Sequence, residues 1–124
     1  MDQSFDAKPE TVARARRVLT GWLAGSDIDH VSDLTLAVGE LVANAVRHGK
    51  APIRLLMARH AGKVRVEVHD HGGGRPALRA LQTTGPGAGG WGLRFVEQVT
   101  DRWGTYTRDG LTVVWVERVI TSQG

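Results

Sequence analysis

The chain has 124 residues, enough for one domain with a proper core and too few for two, and 41% hydrophobic with 23% charged residues is an ordinary globular composition. It contains no cysteine, which excludes a disulfide framework and a thiolate zinc site. Basic and acidic side chains number 16 and 13, a mild net charge of +3 that is spread along the chain, so direct nucleic-acid binding is not expected.

No apolar run is long enough to cross a bilayer, and the start lacks the basic and apolar regions of a secretory leader, so no membrane role and a cytoplasmic location are expected. Residues 1–8 are polar and expected to be flexible, apart from the remnant of an edge strand at Ser4 and Phe5. Pro9 and Glu10 then open a helix as proline does in a first turn. Val12, Ala15, Leu19, Trp22 and Leu23 share one face of it, and Gly25 stops it. Arg14, Arg16 and Arg17 are the densest basic cluster, read as a solvated face in preference to a docking patch for an acidic partner.

Ser26, with Asp29 three residues on, has the form of a capping arrangement that opens a second helix, and Gly49 followed by Pro52 ends it. Within residues 33–49, Leu34, Val38, Leu41, Val42 and Ala45 form one apolar stripe on a 3.6-residue period. Glu40, Asn44 and His48 follow one another at i+4, so they stack along one flank of that stripe. Such a row can present oxygen ligands to a hard cation and a base to a neighbouring hydroxyl.

Two strands are expected next, Ile53–His60 and Lys63–Asp70, joined by a tight turn at Ala61 and Gly62. In the second, Val64, Val66 and Val68 alternate with Lys63, Arg65, Glu67 and His69. Parity therefore carries the Asp70 carboxylate to the valine side, toward the helices, where an unpaired charge is costly and a ligand or the backbone must supply donors. His69 points the other way, so His69, Asp70 and His71 are not expected to hold a metal.

Residues 71–90 are rich in glycine and proline and cannot build core; a loop of this length is functional or disordered. Gly92, Phe95, Val96 and Val99 mark a short third helix closing near Thr100. Arg102–Arg108 and Leu111–Val119 make a second hairpin around Asp109 and Gly110, with Thr112, Val114 and Val116 on one face. The sum is a single domain over 1–124, an α+β two-layer sandwich: a mixed sheet of four to five strands covered on one face by three helices. The other sheet face carries Arg54, Arg65, Glu67 and His69 and is left to solvent or a partner. Trp22 and Trp103 are expected in the core or at subunit contacts, whereas Trp115 is expected to be exposed on the sheet, where it would suit a homodimer or partner contact.

Three pieces converge on one concavity: the Glu40, Asn44 and His48 flank; Asp70 with Gly72 and Gly74 behind it; and a glycine-rich loop entering a helix at Gly90, Trp91, Gly92 and Leu93. Free N–H groups at a helix start bind phosphate, Asn44 can hold a magnesium bridging those phosphates, and Asp70 fits the amino group of adenine.

In this order and context the chain resembles the GHKL ATP-binding superfamily, whose domain has the Bergerat fold. Glu40-x-x-x-Asn44-Ala45 looks like its N box, Asp70-His71-Gly72-Gly73-Gly74 like its G1 box, and Gly90-Trp91-Gly92-Leu93 like its G2 box, with residues 71–90 as the ATP lid. Thr112 sits where that superfamily has a strand threonine beside the adenine-binding aspartate. Within it the chain looks most like the small bacterial anti-sigma-factor serine kinases, on the strength of ELVANAVRHG, DHGGGRP, GGWGLRFVEQVTDRWG and GLTVVWVE. The resemblance implies ATP and Mg2+ as cofactors, with Glu40 as base toward a serine hydroxyl, Asn44 as magnesium ligand and Asp70 as adenine reader. It places His48 near the phosphates and Gly90 with Gly92 in the phosphate turn. It also implies a sigma factor and an anti-sigma-factor antagonist as protein partners.

Two features depart from the pattern: Trp91 is bulky for a G2 turn, and the lid after Gln82 holds no lysine, leaving Arg75, Arg79 or Arg94 to supply a cation for the γ-phosphate. Two functions follow. One is an ATP-dependent protein serine/threonine kinase in a partner switch, which the Glu40 and Asn44 pair favours. The alternative, favoured by the cation-poor lid, is a non-catalytic nucleotide-binding or sigma-sequestering module.

Overall fold

The computed structural model describes residues 1–24, 31–48, 50–72 and 92–119. In chain order the elements are β1 (Asp2–Phe5), α1 (Glu10–Leu23), α2 (Val31–His48), β2 (Ile53–His60), β3 (Lys63–Asp70), α3 (Gly92–Val99), β4 (Arg102–Arg108) and β5 (Leu111–Val119). The strands form one sheet in the order β1-β2-β3-β5-β4. Every pairing in it is antiparallel, so the mixed sheet expected from the sequence is corrected to an antiparallel one of five strands. Two of its joins are hairpins, and both turns place two residues at positive φ: Ala61 (52°) with Gly62 (76°), and Asp109 (50°) with Gly110 (83°). That backbone matches the twist of the strands it joins.

The expectation that residues 1–8 are flexible is also corrected. β1 pairs with β2 from Asp2 opposite Leu56 to Phe5 opposite Ile53, and the Met57 N–H donates to the Met1 carbonyl at 2.8 Å. The Asp2 carboxylate takes both arms of the Arg54 guanidinium. Such an edge strand is held by backbone bonds and one inward side chain, Phe5, rather than by an alternating pattern. Helix α1 ends at Leu23, with the Ala24 N–H bonded back to the Gly21 carbonyl, two residues short of the expected stop at Gly25. The expected cap at Ser26 and the end at Gly49 lie outside the described residues.

The core fills the space between helices and sheet. Ala15, Leu19 and Leu23 of α1 and Leu34, Val38, Leu41, Val42 and Ala45 of α2 meet Leu55, Met57, Val64, Val66, Val68, Val114 and Val116 of the strands. Helix α2 packs on α1, α3, β2 and β3 and so lies centrally in the helical layer. Gly39, buried within it, leaves room for the Arg16 guanidinium of α1, which a Cβ there would overlap.

On the opposite sheet face charges pair within and across strands. Arg65 donates to Glu67 at 2.7 Å and to Glu117 at 3.0 Å, and His69 Nε2 lies 2.8 Å from Glu67. Trp115, expected to be exposed, is half-buried instead: the Arg65 guanidinium stacks 4.2 Å from the centre of its ring, and its indole crosses Gly104, where a Cβ would stand 2.6 Å from it. Trp22 and Trp103 are partly buried against the core.

Candidate functional site

The site grows out of two departures from apolar patterning on the buried side. In β3 the inward row Val64, Val66, Val68 ends in Asp70, and in β5 the inward row Val116, Val114 ends in Thr112. The register sets these two residues directly opposite each other at the same end of the sheet. Asp70 is 3% exposed and Thr112 fully buried. The side-chain period of two that buries the valines thus also buries a carboxylate and a hydroxyl as neighbours.

Asp70 is held from its C-terminal side, where the Gly72 N–H donates to Oδ1 at 2.7 Å, closing a short turn. The next residue back, His71, donates its N–H to the Lys50 carbonyl at 2.9 Å, which ties the exit of β3 to the link between α2 and β2. The Thr112 hydroxyl finds no hydrogen-bond partner among the described residues.

Helix α2 supplies the layer above. Asn44 is 2% exposed and its Oδ1 also lacks a hydrogen-bond partner among the described residues. An unpartnered buried carboxamide oxygen and hydroxyl each forfeit roughly 1–3 kcal/mol of solvation, a cost that a ligand donating to them would offset. Glu40, one turn before Asn44, is half-buried. An amide oxygen suits a hard cation, and a carboxylate beside a hydroxyl suits a flat polar group that donates through an amino N–H.

The remaining predicted positions divide. Gly72 is placed at the Asp70 turn, and Gly92 and Leu93 open α3, whose first-turn N–H groups have no partner within the helix. His48 closes α2, and its side chain, like that of Leu93, lies outside the described ones. Gly74, Gly90, Trp91 and the arginines at 75 and 79 lie outside the described residues as well. No three His, Asp or Glu side chains among the described residues gather as a metal cluster, and His69 faces Glu67 on the far side of the sheet from Asp70, as alternation predicts. Sequence reasoning did not find the contact between Arg16 and Gly39, one residue before Glu40. A glycine buried in mid-helix was its one signal.

Comparison with known proteins gives the following. The histidine kinase-like ATPase domain family matches residues 5–118. The serine-protein kinase RsbW of Listeria monocytogenes is 29% identical over 94% of this chain and 85% of its own length. The solved RsbU and RsbW domains of a Mycobacterium tuberculosis protein superpose with a TM-score of 0.74 at 25% identity. That match covers all of this chain, which spans a third of the solved one (33%). The Acinetobacter baumannii histidine kinase AdeS shares the fold, with a TM-score of 0.60 at 11% identity over 98% of this chain and 68% of its own. No described helix is long and apolar enough to cross a membrane.

Proposed function

The chain belongs to the histidine kinase-like ATPase family, and on that premise we propose that it binds ATP with Mg2+ and phosphorylates a serine on a protein partner. The observation that carries the reading is a set of buried polar groups: the Asn44 oxygen and the Thr112 hydroxyl, both without hydrogen-bond partners among the described residues, and the Asp70 carboxylate directly opposite Thr112. Asp70 and Thr112 receive the adenine edge, the carboxylate accepting from its amino group. Asn44 gives its oxygen to magnesium. Gly72 and Gly74 let the backbone approach the nucleotide, while His48 and the turn through Gly90, Gly92 and Leu93 hold the phosphates.

ATP bound with magnesium supplies a transferable phosphoryl group and the neutralisation of its charge; the chain supplies position. Glu40 takes the proton from the serine hydroxyl as that oxygen bonds to the γ-phosphorus and the bond to the departing ADP oxygen breaks. The partners are those of a switch: an anti-sigma-factor antagonist that carries the serine, and a sigma factor held or released according to its phosphorylation. The curated relatives, which bear the name serine-protein kinase RsbW, support a serine as the acceptor, and the partners follow from the resemblance of the sequence motifs.

Calorimetry with magnesium and a non-hydrolysable ATP analogue tests binding, and transfer of label from γ-labelled ATP to an antagonist tests chemistry. The wild type is expected to bind and transfer, and Glu40→Ala to bind without transferring. Absence of heat overturns the nucleotide reading. Binding without transfer by the wild type leaves the non-catalytic module.

A further inference from the structure

The inward row of β5 runs Thr112, Val114, Val116 and then Arg118, a cation at a position whose parity points into the helical layer. Its neighbour across β3 is Val64, a core residue. A guanidinium there needs an acceptor, and it has one: Arg118 Nη1 donates to the carbonyl of Val99, the last residue of α3. The end of α3 is fastened at three further points. The Thr100 hydroxyl donates to the Val96 carbonyl at 2.7 Å, the Asp101 N–H to the Glu117 carbonyl at 2.9 Å, and the Asp101 carboxylate accepts the Val119 N–H at 2.6 Å.

The Arg118 and Thr100 bonds meet carbonyls that the helix end leaves open, Arg118 sets a positive charge against the negative end of its dipole, and the two Asp101 bonds tie the following residue to β5. They matter because α3 is only eight residues long and, among its described side chains, buries Val96 and Val99 in the core with Phe95 half-buried against it. A helix that short does not hold itself. Its opposite end, at Gly92, presents first-turn N–H groups that have no partner within the helix.

We propose that Arg118 is a positioning residue: it fixes the C-terminal end of α3 to β5 and thereby sets where the first-turn amides of α3 stand relative to the nucleotide phosphates. This rests on the nucleotide reading above. Arg118 touches neither adenine nor phosphate, so its removal affects the phosphate half of the ligand and spares the adenine half.

The experiment compares wild type, Arg118→Gln and Arg118→Lys for binding of a non-hydrolysable ATP analogue with magnesium, and of adenosine by saturation-transfer NMR. Hydrogen exchange of the α3 amides is followed in the free proteins. Arg118→Gln is expected to bind the analogue about five- to tenfold more weakly, the order of effect of a charge at a helix end, with adenosine unchanged. Its α3 amides exchange faster while those of α2 do not, and Arg118→Lys restores both readouts at least in part. Equal losses for adenosine and analogue, or α2 amides loosened together with α3, mean a general structural role and overturn the proposal. An unchanged analogue affinity in Arg118→Gln overturns it as well. A wild type that binds neither ligand takes down the nucleotide reading and the positioning role with it, and α3 exchange then decides separately whether the anchor exists.

Discussion

The two faces of the sheet treat polarity in opposite ways. On the outer face the central charges are paired: Arg65 bridges Glu67 and Glu117, His69 meets Glu67, and Arg102 stands 3.8 Å from Glu117. The buried atoms left there without a hydrogen bond among the described residues, His69 Nδ1 and Glu117 Oε1, belong to side chains already held in that network. On the inner face a carboxylate and a hydroxyl end the rows of valines, helix α2 buries a carboxamide, and the hydroxyl and the carboxamide oxygen lack hydrogen-bond partners among the described residues. A matched network explains itself as structure, whereas unmatched buried groups are stable only because the surrounding core outweighs their cost, and they are where a ligand gains most.

Removing part of the core sharpens this contrast most strongly. Leu55 is fully buried on the inner face, and Leu55→Ala should cost about 2–5 kcal/mol, read as a drop in the urea midpoint. Asp70→Asn should do the reverse of what a core change does. The amide keeps the shape and an oxygen for the Gly72 N–H, so thermal unfolding should move little, while nucleotide affinity falls on the order of 10- to 100-fold by calorimetry, the worth of a charged hydrogen bond. Loss of stability with binding intact would make Asp70 a structural residue and break the comparison. On the outer face Gly104→Ala pushes a methyl into the Trp115 ring, where the nearest ring carbon would lie at 2.6 Å. About 1–3 kcal/mol of stability should go, with nucleotide affinity unaffected.

What was legible from sequence follows the reach of each interaction. Strands β2 through β5 and both hairpins could be read to the residue, because alternation and turn residues such as Asp109 and Gly110 are local signals. The inward direction of Asp70 and Thr112 followed from the same parity, and the register sets them opposite each other. Edge strand β1 was read only as a remnant, since backbone pairing with β2 leaves no pattern in DQSF beyond Phe5. The purely antiparallel pairing depends on β5 inserting between β3 and β4, a long-range choice that no local stretch encodes. The cover over Trp115 was missed for the same reason: Arg65 reaches Glu117 across 52 positions of sequence.

The smallest expected effect separates the faces by pH. Burial works to raise the Glu67 carboxyl, but its bonds to His69 and Arg65 outweigh that and hold it below its ordinary 4.5. A carboxyl depressed in the folded state contributes stability above its unfolded value, and that contribution is lost as pH falls through the lower folded value. Glu67→Gln should therefore be less stable than wild type at pH 7 by under about 1 kcal/mol, because the pair is partly solvated. The difference should close as the pH falls below the ordinary 4.5 and on through the lowered value of the folded protein, where the wild-type carboxyl is itself being protonated. Denaturant midpoints of the two proteins across that range give the measurement. A gap that persists undiminished at low pH would mean that Glu67 acts through packing rather than charge, and the outer face would then hold together for the same reason as the core.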